Sequence, residues 1–531
     1  MPLIICSVTG DHGPPAGVRS HRDDVLPVVA GIPAPVLSCS LPCVESVDPY
    51  DLGVFNSDIA RKHVAPGERP PYVRRDQDAD LRRALRQEQM VLLAGKSESG
   101  KSRSAFEAIA QLFPQHQIIV PRETAALRSL FSLDPPLDLG PEPAILWLDD
   151  LERFLLKADA LDTKLLDSWT ENGRRRVVAI ATIRTEEYRR IKETAGEIGR
   201  TARQVLDRAR CFWLGSVPSP GELAEATRLY PGEDFADGIG EHFAAAKELL
   251  DRFRTGKPVG VALVRAAVDW QRCGLTERRV TESDLKALYG AYVPAWVKAA
   301  TTDVAEELEW AAHPIGSSAA LLRAHRNGGE RSFHAFDYII DFVETEQKAQ
   351  PIPITTWKYV LQEASPEEAF AVGVAAYIRA APVVAKDAWT TAAMSGDVIL
   401  SPKATANLGV LLLEEGDLAG AQAAFERAIA SRDANAAPSA AVNLGVLLAQ
   451  QGDVAGARAA YERAIASGHP DRAPEAAFNL GYLLAEQGDL AGAKAAFEQA
   501  VASGDEEPAQ LATSLLAQLD QTADGTSSSA G

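Results

Sequence analysis

Eight consecutive residues, Gly95-Lys96-Ser97-Glu98-Ser99-Gly100-Lys101-Ser102, have the types and spacing needed to hold phosphate. The two glycines let successive backbone N–H groups turn inward around an oxyanion, and the start of a following helix adds the positive end of its dipole. In such a cradle Gly95, Ser99 and Gly100 bring the backbone close. Lys101 reaches the β- and γ-phosphates, and the Ser102 hydroxyl takes a place on Mg²⁺. The pattern needs a strand before it and a helix after it. The apolar run Met90–Ala94 predicts the strand and Arg103–Phe113 the helix.

A phosphate site of this kind also needs an acid at the end of a buried strand. Ala144-Ile145-Leu146-Trp147-Leu148-Asp149-Asp150 supplies it. Asp149 is placed to hold Mg²⁺, directly or through water, opposite Ser102. Asp150 is placed to orient or deprotonate an attacking water, with Glu152 as a weaker substitute. The same two aspartates can instead cap the next helix, Leu151–Lys157. The strand Val177–Ile183 ends in Arg184, where a cation can sense a terminal phosphate and stabilise charge during transfer. A surface arginine is the alternative there.

The elements that must position these groups alternate along the chain. Strand-like runs at Met90–Ala94, Gln117–Val120, Ala144–Leu148, Val177–Ile183 and Cys211–Leu214 are separated by helical stretches at Ser102–Phe113, Thr124–Leu130, Ala158–Glu171 and Thr185–Asp207. This order predicts a parallel sheet covered on both faces, an α/β fold. Ahead of it, residues 1–65 are rich in Pro, Gly and Ser and read as a flexible arm. The α/β domain is expected over 66–218 and a helical lid over 219–300, with helices at Glu222–Tyr230, Ile239–Arg254 and Val259–Gln271. A small mixed or winged-helix-like linker domain is expected over 301–367.

The last part of the chain repeats itself. Asn407-Leu408-Gly409, Asn443-Leu444-Gly445 and Asn479-Leu480-Gly481 recur every 36 residues. Gly-Asp pairs at 416, 452 and 488, then Phe425, Tyr461 and Phe497, follow at fixed offsets. The same offset backwards sets Gly373 under Gly409 and Trp389 under Phe425, a degenerate first unit. Each unit reads as a helix pair with Gly-Asp at its turn, small residues for close packing, and one aromatic filling the hole between neighbours. This resembles tetratricopeptide repeats over residues 368–510, with a capping helix to 521 and a disordered tail over 522–531. In similar repeats the position of Asn407, Asn443 and Asn479 faces a groove that takes an extended peptide; a plain consensus choice of Asn is the alternative. Residues 403–510 hold 15 Asp and Glu against 7 Lys and Arg, which favours a basic or neutral peptide partner.

Taken together, the loop at 95–102, the acids Asp149-Asp150, the Thr-x-Arg ending at Arg184 and Gly256-Lys257-Pro258 resemble, in order, the signal-transducing P-loop ATPases with numerous domains (STAND). Arg75-Asp76 looks like that family's lead-in. The resemblance covers about residues 70–345 and implies an ATP/ADP switch with Mg²⁺, in which Pro258 contacts the adenine. Phe333-His334-Ala335-Phe336-Asp337, followed by Tyr338-Ile339-Ile340-Asp341, is loosely similar to the family's Met-His-Asp element in a winged-helix domain, with Phe336 where the nucleotide-touching histidine belongs.

A net charge of −19 and the lack of a basic stripe argue against a nucleic-acid binder. Arg174-Arg175-Arg176 reads as the solvated edge of a strand. Five cysteines form no disulfide framework, and Cys39 and Cys43 have no second pair at zinc spacing. With no leader or membrane span in the sequence pattern, a reducing cytoplasm is the expected location. The leading reading is an ATP-binding switch that recognises a protein partner through its repeats, hydrolyses slowly and self-associates according to nucleotide. The competing reading is a repeat scaffold whose loop domain is structural or non-hydrolysing. There is no N-K-x-D-type guanine motif, which tilts the base toward adenine.

Overall fold

The computed structural model describes residues 41–65, 67–121, 127, 139, 142–157, 160–171, 174–194, 199–294, 297, 303–315, 319–327, 330–346, 351–502 and 511–517. The chain divides into two compact units, 1–363 and 364–531.

The first unit is built on a parallel sheet. Its strands are β1 (Met90–Gly95), β2 (Ile118–Ile119), β3 (Ala144–Leu148), β4 (Val177–Arg184) and β5 (Arg210–Leu214), in the spatial order β2-β3-β4-β1-β5. Every residue of β1 and β3 is buried, as expected for strands covered on both faces. Alternate residues serve two cores. Leu92, Ala94, Leu146 and Ala179 face one, with Phe154, Leu166 and Trp169. Val91, Leu93, Ile145 and Trp147 face the other, with Phe106 and Ile109 of helix α1 (Lys101–Leu112). The register sets Gly95 opposite Arg184 and Leu148 opposite Ala181. The carboxyl ends of β1, β3 and β4 therefore converge, and the chemistry-bearing residues sit where these ends meet.

Three expectations change here. Residues 41–64 are no flexible arm. Val44, Val47, Leu52 and Val54 are buried against α1 and the sheet, and Trp147 Nε1 donates to the Leu52 carbonyl at 3.0 Å. Apolar residues spaced among the prolines give this segment something to bury, which composition alone conceals. Truncating Leu52 to Ala should cost about 2–5 kcal/mol of stability, read from denaturant unfolding; the cost expected for a flexible arm is near zero. The rest of the expected arm, 1–40, and most of Thr124–Leu130 lie outside the described residues. The long helix Thr185–Asp207 is split into Thr185–Glu193 and Arg200–Arg208, and Ile239–Arg254 into Ile239–Phe243 and Ala246–Thr255. The second break follows from Ala245, whose φ of 50° lies outside helical space.

The boundary expected at 300/301 is also crossed. A second, antiparallel sheet joins β6 (Val280–Thr281), β7 (Leu322–Asn327) and β8 (Glu330–Ala335) in the order β6-β8-β7. Helix α2 (Pro258–Arg272) packs on α3 (Val304–Ala312), with the Trp310 ring seated over Gly256 and Gly260; a Cβ on either glycine would meet it at 2.4–2.6 Å. Helix α4 (Asp337–Glu346) follows β8.

The second unit is all helical. Its pairs are Pro366–Ile378 with Pro382–Ala393, Leu400–Glu414 with Leu418–Ala430, Ala436–Gln450 with Val454–Ala466, and Arg472–Glu486 with Leu490–Ala502. Residues 511–517 are helical within the expected capping segment; 503–510 and 518–531 lie outside the described residues. Gly416, Gly452 and Gly488 adopt φ near 80°, and the Asp after each accepts from a backbone N–H three residues on at 2.9 Å. Gly409, Gly445 and Gly481 lie against the rings of Phe425, Tyr461 and Phe497, and Gly373 lies likewise against Trp389. The first pair thus keeps the packing of the others. It replaces the turn, placing Ala380 at φ 54°. A methyl on Gly445 would sit 2.4 Å from the Tyr461 ring. Gly445→Ala is expected to cost about 1–3 kcal/mol by overpacking, measured by thermal or urea unfolding.

Candidate functional site

The loop after β1 closes around its own lysine. Gly100 takes φ 91° and Glu98 φ 59°, which turns the chain sharply before α1 begins at Lys101. Lys101 is buried, and its Nζ donates to the carbonyls of Gly95 (3.1 Å) and Lys96 (2.8 Å). Both of these acceptors are neutral loop carbonyls. The Ser97 and Ser99 hydroxyls are buried with no hydrogen-bond partner among the described residues. Buried hydroxyls are rarely left so unless something else completes them.

From outside, Arg75 clamps the loop. It donates to the Ser99 carbonyl (3.1 Å) and the Gly215 carbonyl (2.8 Å), and its Nε pairs with Glu222 at 2.9 Å. Glu222 is itself fixed by the capping box of helix Pro220–Leu229. Arg75 therefore holds loop and strand ends together.

The acids lie where the strand ends meet. Ser102 Oγ donates to Asp149 Oδ1 at 2.9 Å, and Thr182 Oγ1 donates to the same oxygen at 2.8 Å. The Asp150 backbone N–H donates to Thr182 Oγ1 at 3.0 Å. Asp150 adopts φ 56°, a left-handed conformation that only Asn, Asp and Gly enter readily. Desolvation, with the neighbouring charges of Asp149 and Asp337, pushes its carboxyl up to about 6. Burial likewise pushes Glu152 up to about 8, against the pull of Arg184.

Arg184 sits among carboxylates. Its guanidinium bonds Glu152 (3.1 Å), Asp341 (3.0 Å) and Glu187 (3.3 Å). Asp341, on α4, also accepts from the Ser97 backbone N–H at 2.9 Å.

A cavity of about 900 Å³ opens beside these groups. Ser97, Lys101, Ser102, Asp149, Asp150, Thr182 and Arg184 line its polar end; Tyr50, Phe55, Tyr72 and Tyr230 are among its apolar walls. Of the expected site residues of the loop and strand ends, Gly100, Lys101, Ser102, Asp149, Asp150 and Arg184 line this cavity, and Gly95 and Ser99 lie in the same loop outside its lining. Pro258 lies elsewhere. It does not line the cavity but opens α2, beside Lys257, which pairs with Glu307 at 3.1 Å. Phe336 is packed by Phe55 and Arg323. His334 approaches the Gln271 amide.

Sequence reasoning missed the parts played by Thr182, Glu222 and Asp341, and the apolar wall from residues 50–57. Thr182 was legible in the Thr-x-Arg pattern. Glu222 and Asp341 meet the loop only through tertiary contacts, which no local spacing records.

Among the described residues, no cluster of three or more His, Cys, Asp or Glu forms a self-sufficient metal cage. Ser102 and Asp149 fit the sparser set that Mg²⁺ uses when substrate phosphates and water complete its shell.

In the second unit Asn407, Asn443 and Asn479 fall one to each first helix of a pair, all half-buried. The first helices of these successive pairs touch one another, so the three amides recur at one level of the stack.

A family model described as tetratricopeptide repeat matches residues 406–471 and 457–508. These helix pairs are tetratricopeptide repeats. The match covers the last three pairs, and the Gly373–Trp389 pair extends the tetratricopeptide array by its geometry. A comparison with curated proteins gives no match. Among solved structures, the chain is similar to a signal transduction ATPase with numerous domains, carrying a tetratricopeptide repeat sensor, from Pyrococcus horikoshii. That likeness is 13% identical with a TM-score of 0.27, over 86% of this chain and 82% of the other. It is also similar to BtubC from P. vanneervenii, at 19% identity and a TM-score of 0.26, over 31% of this chain and 77% of that one. At these scores neither likeness bears on the site, which is argued from its own geometry.

Proposed function

We propose that the α/β unit binds ATP and ADP with Mg²⁺ and works as a nucleotide-dependent switch, read out through the tetratricopeptide repeats. One observation carries this reading: at the ends of β1, β3 and β4, Ser102, Asp149, Thr182 and Asp150 form one hydrogen-bonded chain beside a loop with two hydroxyls that have no partner among the described residues.

In this account the loop amides and Lys101 bind the phosphates, with Gly95, Ser99 and Gly100 allowing the close approach. Ser102 and Asp149 hold Mg²⁺, which when bound neutralises charge on the phosphoryl oxygens. Asp150 accepts a proton from the attacking water, and its carboxyl near 6 is poised for that task close to neutral pH. Arg184 steadies the terminal phosphate. Tyr72, Tyr230 and Phe55 give the base an apolar setting. Nucleotide-dependent self-association is a further consequence of such a switch.

The repeats would take a basic or neutral peptide through Asn407, Asn443 and Asn479. Binding at the repeats and at the nucleotide site would be coupled in both directions, as linkage requires. Among the described residues no helix is long and apolar enough to cross a membrane.

The scaffold reading draws support from the three carboxylates that engage Arg184. It predicts hydrolysis at background in both wild type and Asp150→Asn.

The test is to denature purified full-length protein and identify released nucleotide by mass spectrometry, beside Lys101→Ala. ADP or ATP from the wild type and none from the variant is the expected result. A wild type that is empty, and that also takes up no added Mg–ATP, overturns the proposal.

A further inference from the structure

Residues 55–63 make one wall of the cavity without belonging to the sheet or the phosphate loop. Phe55, Ser57, Ala60 and Arg61 line it. The segment leaves the sheet core at Val54, just after Leu52 has accepted from Trp147. It contains a single turn of helix, Asp58–Arg61, capped by Ser57. Among the described residues its backbone N–H groups bond only locally, Arg61 to Ser57, Lys62 to Asp58 and His63 to Ala60. The segment can therefore part from its neighbours without breaking a backbone hydrogen bond to them. Segments held in this way open at lower free energy than a core. The facing wall of loop and strand ends is carried on strands buried on both faces and has no such freedom.

Side chains hold the segment at two places. Phe55 meets the Phe336 ring edge-on, 6.0 Å between centroids, and Arg323 of β7 lies over both rings. On the other side stand the helices Pro220–Leu229 and Ile239–Phe243. There the Ser57 hydroxyl donates to the Phe243 carbonyl at 2.7 Å, and Ala60 packs with Tyr230, Phe235 and Ile239. His63 ends the segment. Its Nε2 lies 3.0 Å from Glu233 Oε1, while His242 Nε2 lies 2.8 Å from the other oxygen. The hydrogen bond from His63, ahead of that from His242, holds the Glu233 carboxyl below its ordinary range. An ionised carboxylate only accepts, so both imidazoles donate to it. One glutamate thus clasps the segment to the helical wall, and neither Glu233 nor His63 lines the cavity.

We propose that residues 55–63 are a strap that gates nucleotide exchange, and that the His63–Glu233 bond is its latch. This rests on the nucleotide-binding reading above and names the element that must move for nucleotide to enter or leave. Entry and exit each wait for the strap to open. A weaker latch therefore speeds both and leaves their ratio, the affinity, where it was, because the latch makes no contact that differs between the filled and empty site.

The test mixes the full chain and Mg²⁺ with a fluorescent N-methylanthraniloyl ADP and follows uptake by stopped flow, then release into excess unlabelled ADP. His63→Ala is expected to raise both rates by about tenfold, the lower range for one charge-assisted bond, with Kd changed less than about twofold. His242→Ala removes a bond within the helical wall and leaves the latch in place, so both rates are expected to stay within about threefold of wild type. Unchanged rates in His63→Ala, equal acceleration in the two variants, or faster release with a matching loss of affinity overturn the strap while leaving the nucleotide reading intact. A wild type that takes up neither labelled nor unlabelled nucleotide overturns both.

Discussion

Replacing Lys101 with Ala is expected to weaken the proposed ATP binding by about 100-fold, close to 3 kcal/mol, while leaving the fold intact. The magnitude follows from what the ammonium does. It is buried, and its hydrogen bonds go to the carbonyls of Gly95 and Lys96 rather than to a carboxylate. Those bonds aim the head into the loop at low cost, ready for an anion whose charge-assisted bonds contribute about 1.5–3 kcal/mol each. The site otherwise carries Asp149, Asp150 and Asp337, so losing the lysine leaves an incoming phosphate facing acids. Calorimetric titration of both proteins checks this, with circular dichroism as the folding control. A change of less than about threefold would place the nucleotide elsewhere.

Asp150→Asn has the second large effect. If the carboxylate takes the proton from water, hydrolysis falls about 10²–10⁴-fold, with nucleotide affinity little changed. Asn is the right probe because residue 150 sits at φ 56°, which Asn tolerates and Ala does not. The pH dependence gives a second signature. Burial and the charges of Asp149 and Asp337 push this carboxyl up to about 6, so the base is lost below that pH. The wild-type rate should rise through about pH 6 and then level, and the limb should vanish in the variant. Stability runs the opposite way. A carboxyl raised on folding stabilises the protein most below its unfolded value near 3.9, and that contribution is lost as pH rises through about 6. At pH 8 the variant should therefore be no less stable than the wild type. Equal hydrolysis in both proteins would support the scaffold reading.

Much of this site was legible in the sequence because its parts are local. A strand, the Gly95–Ser102 loop and a helix are contiguous, so the cradle is written in one stretch of chain. Asp149 and Arg184 were legible because each ends a buried apolar run, and parallel pairing brings such ends to one edge. The repeats were legible through their period, which also exposed the degenerate first unit once Gly373 and Trp389 fell into register.

What stayed hidden was long-range or compositional. Residues 41–64 looked like an arm because Pro, Gly and Ser dominate the segment before them. Four well-placed apolar side chains are enough to dock them on α1. Asp341 gives no sign of its Ser97 contact in the local spacing. It is one acid on an ordinary helix, and only the tertiary fold sets it on the Ser97 N–H. Pro258 shows the limit of motif reading, since its motif is intact while the cavity lining does not include it.

The most direct test of nucleotide binding at this loop is amide hydrogen exchange on the full chain, with and without Mg–ATP, in wild type and Lys101→Ala. The account predicts slowed exchange over 95–102 and at Asp149 and Asp150 in the wild type, and none of it in the variant. Exchange at these residues that is unaltered by Mg–ATP, or altered alike in both proteins, would contradict it.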